Sequence, residues 1–510
     1  MTTISAAAPS TEGGGVNRIM ITASVMMATT VIITDMTIAT IALPHMQGGL
    51  SANQDQVSWV MTIYFMMQGV SMSTVGWVAG RFGRKRVFMC TLVGFVICAM
   101  LSGQAESISE IMFYRALQGM FSAPVVPISQ ALMLDSYPRE RHSQALAIWG
   151  TGVMFAPVMA PVIGGWLTDE YSWRFVFYVS SPFAILAILG VLTFVRETPR
   201  NLERRFDWFG FVSLAMALVS LQFMLDRGQS EGWFSSDFIV CAGVLIALGI
   251  YLFVVHSLTT DNPFISPAIF ADRNLVIGLI FMFMLGILVL SMNVIMPLFL
   301  QNLRGYPILT AALVLMPRGL GTVVGLTVAG RLTSRIGPRA VIIFGFASVA
   351  GSAWILSIVT IDADITYFIA AAFLNGVGLG AIWVPLTTVS FWTLPDHLRT
   401  EASTLTSLCR NYGSGIGVSV VISVASYSRS TAHAYLAEHT SPYSDTMKAP
   451  VLPPEWDLYG AAGLRLLENE VSRQALSIGF LNDFNLLLFG ALAAIPMVFL
   501  LARGKGTSNA

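Results

Sequence analysis

Two stretches of this chain nearly repeat each other. The first reads Gly76-Trp-Val-Ala-Gly-Arg-Phe-Gly-Arg-Lys85, and the second reads Gly330-Arg-Leu-Thr-Ser-Arg-Ile-Gly-Pro-Arg339. The offset from Gly76 to Gly330 is 254 residues in a chain of 510. Each stretch follows a long apolar run and forms a short basic segment, which indicates that the chain holds two related halves.

Weaker echoes keep nearly the same offset between the halves. One of these matches lies in the first apolar run of each half. The other consists, in each half, of a polar residue followed by a glycine, with a proline further along the chain. The matched segments are Ala42-Leu-Pro44 with Ile295-Met-Pro297, and Gln118-Gly119 plus Pro127 with Asn375-Gly376 plus Pro385. Parallel halves of this kind are typical of membrane transporters. We therefore expect an all-α polytopic membrane protein with a six-helix bundle in each half.

The composition agrees with a membrane protein. Hydrophobic residues make up 55% of the chain and charged residues 11%, whereas soluble domains carry about 25% charged residues. This balance excludes an ordinary soluble enzyme and a disordered chain. The net charge is +0, so no global field would attract a nucleic acid.

Apolar runs define the predicted organisation. A membrane helix needs about 20 mostly apolar residues. The predicted spans are 18–43, 57–79, 87–104, 108–134, 143–167, 173–195, 208–226, 237–257, 274–301, 308–330, 339–358, 365–391, 400–426 and 477–502. These fourteen spans predict an N-terminal tail (1–17), a first bundle (18–195), a two-helix insert (196–258), a second bundle (259–505) and a C-terminal tail (506–510).

Basic residues in alternate loops predict the orientation. They cluster on one side, for example at Arg84, Arg139, Arg204 and Arg335, and basic loops stay in the cytoplasm. Both termini are therefore expected to be cytoplasmic in a bacterial inner membrane. The long outer loop at 427–476 has two open interpretations, a docking surface for another protein or a tolerated surface insertion.

Asp35 and Arg115 are the clearest ionisable residues within the predicted spans of the first half. Counting at 1.5 Å per residue places Asp35 roughly 13 Å and Arg115 roughly 10 Å below the outer surface. Burial favours a protonated carboxyl, whereas a nearby arginine favours the ionised form. That competition suits a group that loads and releases a proton, so we expect Asp35 to carry the proton and Arg115 to be its electrostatic partner. A static buried ion pair is the alternative.

The second half contributes two arginines near mid-membrane, Arg318 and Arg410, without an evident acid at the same depth. They predict a positive cavity that favours anionic or weakly acidic lipophilic substrates, unless helix carbonyls satisfy them. Cavity-lining candidates are Trp59, Tyr64, Gln68, Trp149, Phe155, Asn293, Trp383 and Asn411. The 26 methionines add adaptable apolar surface, although simple packing explains any single aromatic or methionine equally well.

Several motifs together resemble the major facilitator superfamily. The Gly76 turn resembles its cytoplasmic loop motif, and Arg115 to Gly119 resembles its fourth-helix motif. Ala160 to Gly165 resembles its antiporter motif, and Asp35 to Pro44 resembles the first helix of fourteen-span drug:proton antiporters. The segment from Leu225 to Ser236 is similar to the EmrB branch of the EmrB/QacA group. The resemblance implies gating roles for Gly76, Gly80, Arg81, Gly83, Arg84, Gln118, Gly119, Pro157, Pro161, Gly164 and Gly165.

The resemblance has one departure and several implications. The loop motif usually has Asp where this chain has Gly80. In the family, that Asp helps to hold the cytoplasmic side closed, so the resemblance does not imply this contact here. The family implies multidrug efflux driven by protons as the coupling ion, with no other cofactor, and with a periplasmic membrane-fusion adaptor and an outer-membrane channel as partners. A proton-coupled uptake symporter is the alternative. An enzyme is not expected, because the predicted spans contain no nucleophile–base pair or metal-ligand set.

Overall fold

The structure is a computed structural model. It describes residues 14–52, 54–138, 141–198, 200, 206–261, 263–395, 398–440 and 461–501. These residues form helices, turns and connections, with no strand among them. Helices suit an apolar chain in a bilayer, because every backbone polar group is satisfied within the segment. The chain separates into two compact units, Met1–Phe206 and Asp207–Ala510.

The first unit packs its helices around α1, which lies against α6 and α8, while α2 lies against α4. Pro124 interrupts the predicted fourth span, because proline lacks the N–H that a continuous helix needs. The helices are α1 (Gly14–Gly49), α2 (Gln54–Phe82), α3 (Arg84–Gln104), α4 (Ile108–Ser122), α5 (Val125–Ser136), α6 (His142–Glu170), α7 (Phe175–Tyr178) and α8 (Ser180–Phe194).

The second unit includes the predicted two-helix insert. Its first helix contacts α16, where the Ser419 hydroxyl donates to the Leu225 carbonyl at 2.9 Å. The helices are α9 (Trp208–Arg227), α10 (Asp237–Thr259), α11 (Arg273–Leu298), α12 (Ile308–Leu315), α13 (Pro317–Ile336), α14 (Pro338–Ser357), α15 (Ile365–Phe391), α16 (Arg399–His439) and α17 (Ala461–Met497). A π-helical turn, Phe299–Leu303, continues α11 beyond Pro297.

The two repeated stretches fold into the same turn. Gly83 follows α2 with φ 93°, and Gly337 follows α13 with φ 84°. Positive φ is costly for residues with a Cβ atom, which explains a glycine at both positions. The repeat seen in the sequence is therefore a repeat of backbone conformation.

Eleven helical segments among the described residues are long and apolar enough to cross a membrane. The other three predicted spans lie on α2, α6 and α16, which have 29, 29 and 41 residues. At 1.5 Å per residue, even 29 residues extend about 43 Å, which exceeds a hydrocarbon core of about 30 Å. The all-helical membrane fold is confirmed, and the count of fourteen spans stays a prediction.

The two flanks of the segment 427–476, which was predicted to be a loop, are helical in the structure. Helix α16 continues to His439, and α17 begins at Ala461. These flanks are rich in Ala, Leu and Glu, which favour helix. The two extensions are joined by a 2.9 Å hydrogen bond between His433 Nε2 and Glu468 Oε1. The prolines that suggested a loop lie at 442–454, outside the described residues.

Candidate functional site

The first unit contains a buried ion pair. The Arg115 Nη1 atom donates to Asp35 Oδ2 at 3.1 Å, and both side chains are fully buried. Gln118 Nε2 donates to the same oxygen at 3.2 Å, and Arg115 Nη1 also donates to Gln118 Oε1 at 2.7 Å. The Ser180 hydroxyl donates to Asp35 Oδ1 at 3.3 Å. Both carboxylate oxygens therefore have donors, as a buried charge requires.

Local sequence explains how these side chains meet. Arg115 and Gln118 are three residues apart on α4, so they share one face of that helix. Gly119 brings α4 close to α2, because a Cβ atom there would lie 2.3 Å from the Tyr64 carbonyl oxygen. Only a residue without a side chain fits that crossing, so the Gln-Gly pair positions the site as a unit.

Aromatic rings cover the arginine. The Arg115 guanidinium carbon lies 4.2 Å from the Tyr64 ring centroid and 5.6 Å from that of Phe177. A cation over an aromatic face is stabilised by the ring quadrupole, most strongly when it is desolvated. Tyr64, predicted to line the substrate cavity, is fully buried beside the ion pair.

An apolar cavity of about 740 Å³ adjoins the ion pair within the first unit. Ser180, which hydrogen-bonds to Asp35, forms part of its wall. Other lining residues come from α1, α6 and α8, and include Met26, Thr30, Ile148 and Phe183. A lipophilic molecule in this cavity would therefore lie one side chain away from the carboxylate.

The second unit holds Arg318 between α13 and α11. Its Nη1 atom donates to the Asn293 side-chain oxygen, and Nη2 donates to the Val289 carbonyl at 3.3 Å. Asn293 and a helix carbonyl thus satisfy the guanidinium without neutralising it. Arg410 on α16 stacks on Trp383, with 5.0 Å from its guanidinium carbon to the ring centroid. These contacts are consistent with either sequence interpretation, a positive cavity or satisfied structural arginines.

The other predicted cavity residues differ in their surroundings. Gln68 is buried and donates to the Ser122 hydroxyl at 3.1 Å. Trp149 is buried and donates to the Ser129 hydroxyl at 3.0 Å. Trp59 and Asn411 are half-buried. The Phe155 side chain lies outside the described residues.

The predicted gating turn is anchored by a residue that the sequence did not single out. The Glu197 carboxylate accepts from the backbone N–H groups of Lys85 and Arg86 at 3.1 and 3.3 Å. A carboxylate at a helix N-terminus is favoured by the helix dipole. Arg84 pairs with Asp135 on α5. Glu197 and Asp135 therefore hold the start of α3 within the first unit.

The remaining motif glycines are less constrained. A Cβ atom at Gly80 or Gly165 would meet nothing within 4 Å among the described residues. Gly164 is buried, and its carbonyl accepts from the Thr168 hydroxyl. Gly76 and Arg81 are half-buried near the end of α2. The side chains of Pro157 and Pro161 on α6 lie outside the described residues.

Sequence reasoning missed Ser180 and the stacking role of Tyr64. Ser180 is a small polar residue at the start of α8, and such residues are common in membrane helices without any function. The only available signal was its position in the same half as Asp35. Its identification required the packing of α8 against α1.

A buried carboxylate–arginine pair in a duplicated set of membrane helices defines a membrane transporter. The Major Facilitator Superfamily matches residues 25–418, and the chain belongs to that family. The chain is 30% identical to the multidrug export protein EmrB of Escherichia coli K12, over 85% of both chains. It is 30% identical to the fatty acid resistance protein FarB of Neisseria gonorrhoeae, over 94% of this chain and 95% of FarB.

A solved structure agrees on the fold. The human organic anion transporter MFSD10 (TETRAN) superposes with a TM-score of 0.58 at 13% identity. The alignment covers 93% of this chain and 99% of that transporter. At this identity the likeness shows the major facilitator fold alone.

Proposed function

We propose that the chain exports lipophilic compounds across the cytoplasmic membrane, driven by inward proton flow. The observation that carries the proposal is the Asp35 carboxylate, buried between Arg115, Gln118 and Ser180. Two relatives support this proposal by their names, the multidrug export protein EmrB and the fatty acid resistance protein FarB. The apolar cavity beside Ser180 offers such compounds a place close to the coupling group.

The mechanism is alternating access coupled to the charge of Asp35. Protonation from outside cancels the carboxylate charge and weakens its attraction to Arg115. Release of the proton inside restores the pair. Proton binding shifts the equilibrium between the inward-facing and outward-facing states only by the difference in its binding free energy between the two states. Because the pair is buried, its making and breaking is a large electrostatic change.

The cations of the second unit set the preferred charge of the substrate. Arg318 is held by an amide and a carbonyl and keeps its full charge. Arg410 lies on an aromatic face, which also leaves its charge uncompensated. We therefore propose anionic or weakly acidic lipophilic compounds as the favoured substrates.

The test is transport in proteoliposomes with an imposed pH gradient. We would follow two lipophilic ions, the cation tetraphenylphosphonium and the anion anilinonaphthalene sulfonate. Asp35→Asn should abolish gradient-driven movement, whereas Asp261→Asn, the same change at an exposed position between α10 and α11, should keep it. Full coupled transport by Asp35→Asn would refute the proton assignment.

The direction of transport separates export from the uptake alternative. Antiport moves the compound against the direction of proton flow, and symport moves it with the protons. Sealed vesicles of known orientation, loaded on one side only, distinguish the two. Accumulation in the direction of proton flow would identify a symporter and overturn the export proposal.

We further propose that the chain works with a periplasmic membrane-fusion adaptor and an outer-membrane channel. With both termini cytoplasmic, the extensions of α16 and α17 project into the periplasm. Deletion of residues 441–460 should then spare transport in vesicles but abolish resistance in cells. Loss in both settings would indicate a folding role for the segment, and retention in both would remove it as the adaptor contact.

A further inference from the structure

The second unit contains a buried carboxyl that the Asp35 mechanism does not use. Asp483 on α17 is 0% exposed. Neither of its carboxylate oxygens has a hydrogen-bond partner among the described residues. Asp35, by contrast, accepts from three side chains. The two buried aspartates thus have opposite environments. Asp35 has hydrogen-bond donors that stabilise a carboxylate, and Asp483 has none among the described residues.

Asp483 lies in a stretch of α17 whose aromatic residues pack on the end of α11. Phe480 and Phe484, the residues three before and one after it, pack on Phe299 with centroids 5.6 and 5.9 Å apart. Phe299 begins the π-helical turn that ends α11. Helix α17 also packs against α16 and α14. The aspartate therefore sits beside an apolar cluster, without a polar pocket among the contacts described.

The cations on these helices have other positions or partners. Arg339 on α14 donates to the Leu501 carbonyl. Arg304, after the π-helical turn, donates to the Ile361 carbonyl and to the Tyr306 hydroxyl. The remaining arginines are Arg273 at the start of α11, Arg399 at the start of α16, Arg410 stacked on Trp383, the exposed Arg429 and Arg465, and Arg473 paired with Glu470. None of these cations hydrogen-bonds to Asp483.

We propose that Asp483 is a second proton-binding site of this transporter, loaded in the conformation described. An ionised carboxylate without donors in an apolar interior is strongly disfavoured, and such a group holds a proton instead. The proton comes from water and forms an O–H bond on one carboxylate oxygen. It returns to water when another conformation hydrates the group. The coupling role rests on the proposed function, but the loaded state does not.

Infrared spectroscopy tests the loaded state without transport. The full-length protein, reconstituted at neutral pH, should show the carbonyl stretch of a protonated carboxylic acid. Asp483→Asn should remove that band, and Asp261→Asn should leave it. An unchanged band in Asp483→Asn would show that Asp483 is ionised and would overturn the proposal. Carbon-13 labelling of aspartate should shift the band, which shows that an aspartate carries it, and its loss in Asp483→Asn then assigns it to Asp483.

Proton counting tests the coupling role. Reversal-potential measurements, with whichever of tetraphenylphosphonium and anilinonaphthalene sulfonate the wild type transports, give the number of protons moved per substrate. Asp483→Asn should lower that number by one while transport continues. An unchanged number would show that the proton stays on Asp483 throughout the cycle, and the coupling role would be wrong. Absence of gradient-driven transport in the wild type would refute the proposed function instead, since the infrared result is independent of it.

Discussion

At the residue scale, the Asp35 site combines groups with different tasks. Arg115 supplies the opposite charge, and Gln118 and Ser180 supply neutral donors to the carboxylate. The Tyr64 ring covers one face of the Arg115 guanidinium, whose central carbon lies 4.2 Å from the ring centroid. A buried charge left without its partner is far more costly than the loss of both charges together. This asymmetry makes the pair testable by stability as well as by transport.

We predict strong coupling between Asp35 and Arg115 in unfolding measurements. Arg115→Gln should destabilise the protein by about 3–5 kcal/mol, because the buried Asp35 carboxylate loses its opposite charge and must stay unpaired or take up a proton. Adding Asp35→Asn to that variant should restore part of the loss. Thermal unfolding of the four proteins in one detergent completes the cycle. Additive losses in the double variant would show that the two side chains do not interact in the folded state.

A second residue-scale prediction concerns the glycine between α2 and α4. Gly119→Ala should destabilise the protein by about 1–3 kcal/mol through overpacking, since its Cβ atom would lie 2.3 Å from the Tyr64 carbonyl. Gly80→Ala is the matched control on α2, where a Cβ atom meets nothing within 4 Å. The melting temperature should fall for Gly119→Ala alone. Equal melting temperatures would contradict the close crossing.

The sequence predicts these residues unequally. A charge inside an apolar run is conspicuous, so Asp35 and Arg115 stand out from composition and depth alone. Tyr64 does not, because an aromatic residue on a membrane helix faces lipid, cavity or core according to the rotation of that helix. Gly119 sets that rotation through its contact with the Tyr64 carbonyl. Such packing depends on two helices at once, and a pattern along one segment does not contain it.

At the element scale, hydropathy predicts where most helices lie but not where they break or end. The predicted spans 108–134 and 308–330 are each two helices, divided before Val125 and Pro317. Proline explains both breaks after the fact, although Pro297 and Pro385 lie inside continuous helices. The extensions of α16 and α17 carry too many polar residues for a hydropathy criterion. Helix propensity, not apolarity, maintains them.

We predict that one N-cap is unusually important among the helix starts of the second unit. The Asp207 carboxylate accepts from the backbone N–H groups of Gly210 and Phe264 and is 2.9 Å from His256 Nε2. Asp272 caps α11 through the Leu275 N–H. A typical cap contributes about 0.5–2 kcal/mol, so Asp272→Ala should cost that much and Asp207→Ala clearly more. Equal shifts in melting temperature would show that the additional contacts of Asp207 contribute nothing.

At the scale of the whole molecule, the two units repeat one arrangement with different chemistry. The offset from Gly76 to Gly330 also relates Tyr64 to Arg318, which lie on the same two helices as these glycines. In the second unit, a Cβ atom at Gly376 would lie 2.0 Å from the Arg318 carbonyl, as one at Gly119 would meet the Tyr64 carbonyl. Arg318 donates to the Val289 carbonyl and to the Asn293 side chain, both of them neutral groups on α11. The first unit therefore buries an acid–arginine pair beside this crossing, and the second unit contains an arginine held by neutral groups.

The neutral surroundings of Arg318 predict the effect of placing an acid beside it. Asn293→Asp keeps the size of the side chain that accepts from Arg318 and places a carboxylate against the guanidinium. The net charge at that position falls to zero. The preference for anilinonaphthalene sulfonate over tetraphenylphosphonium should therefore fall about tenfold or more. Such a change is expected when a charge-assisted contact of at least about 1.4 kcal/mol is lost. Asn302→Asp is the matched control, because Asn302 is exposed at the end of the π-helical turn. Proton coupling should persist in both variants, since Asp35 and Arg115 lie in the other unit. An unchanged ratio of the two ions in Asn293→Asp would show that Arg318 holds the helices together without selecting substrate charge.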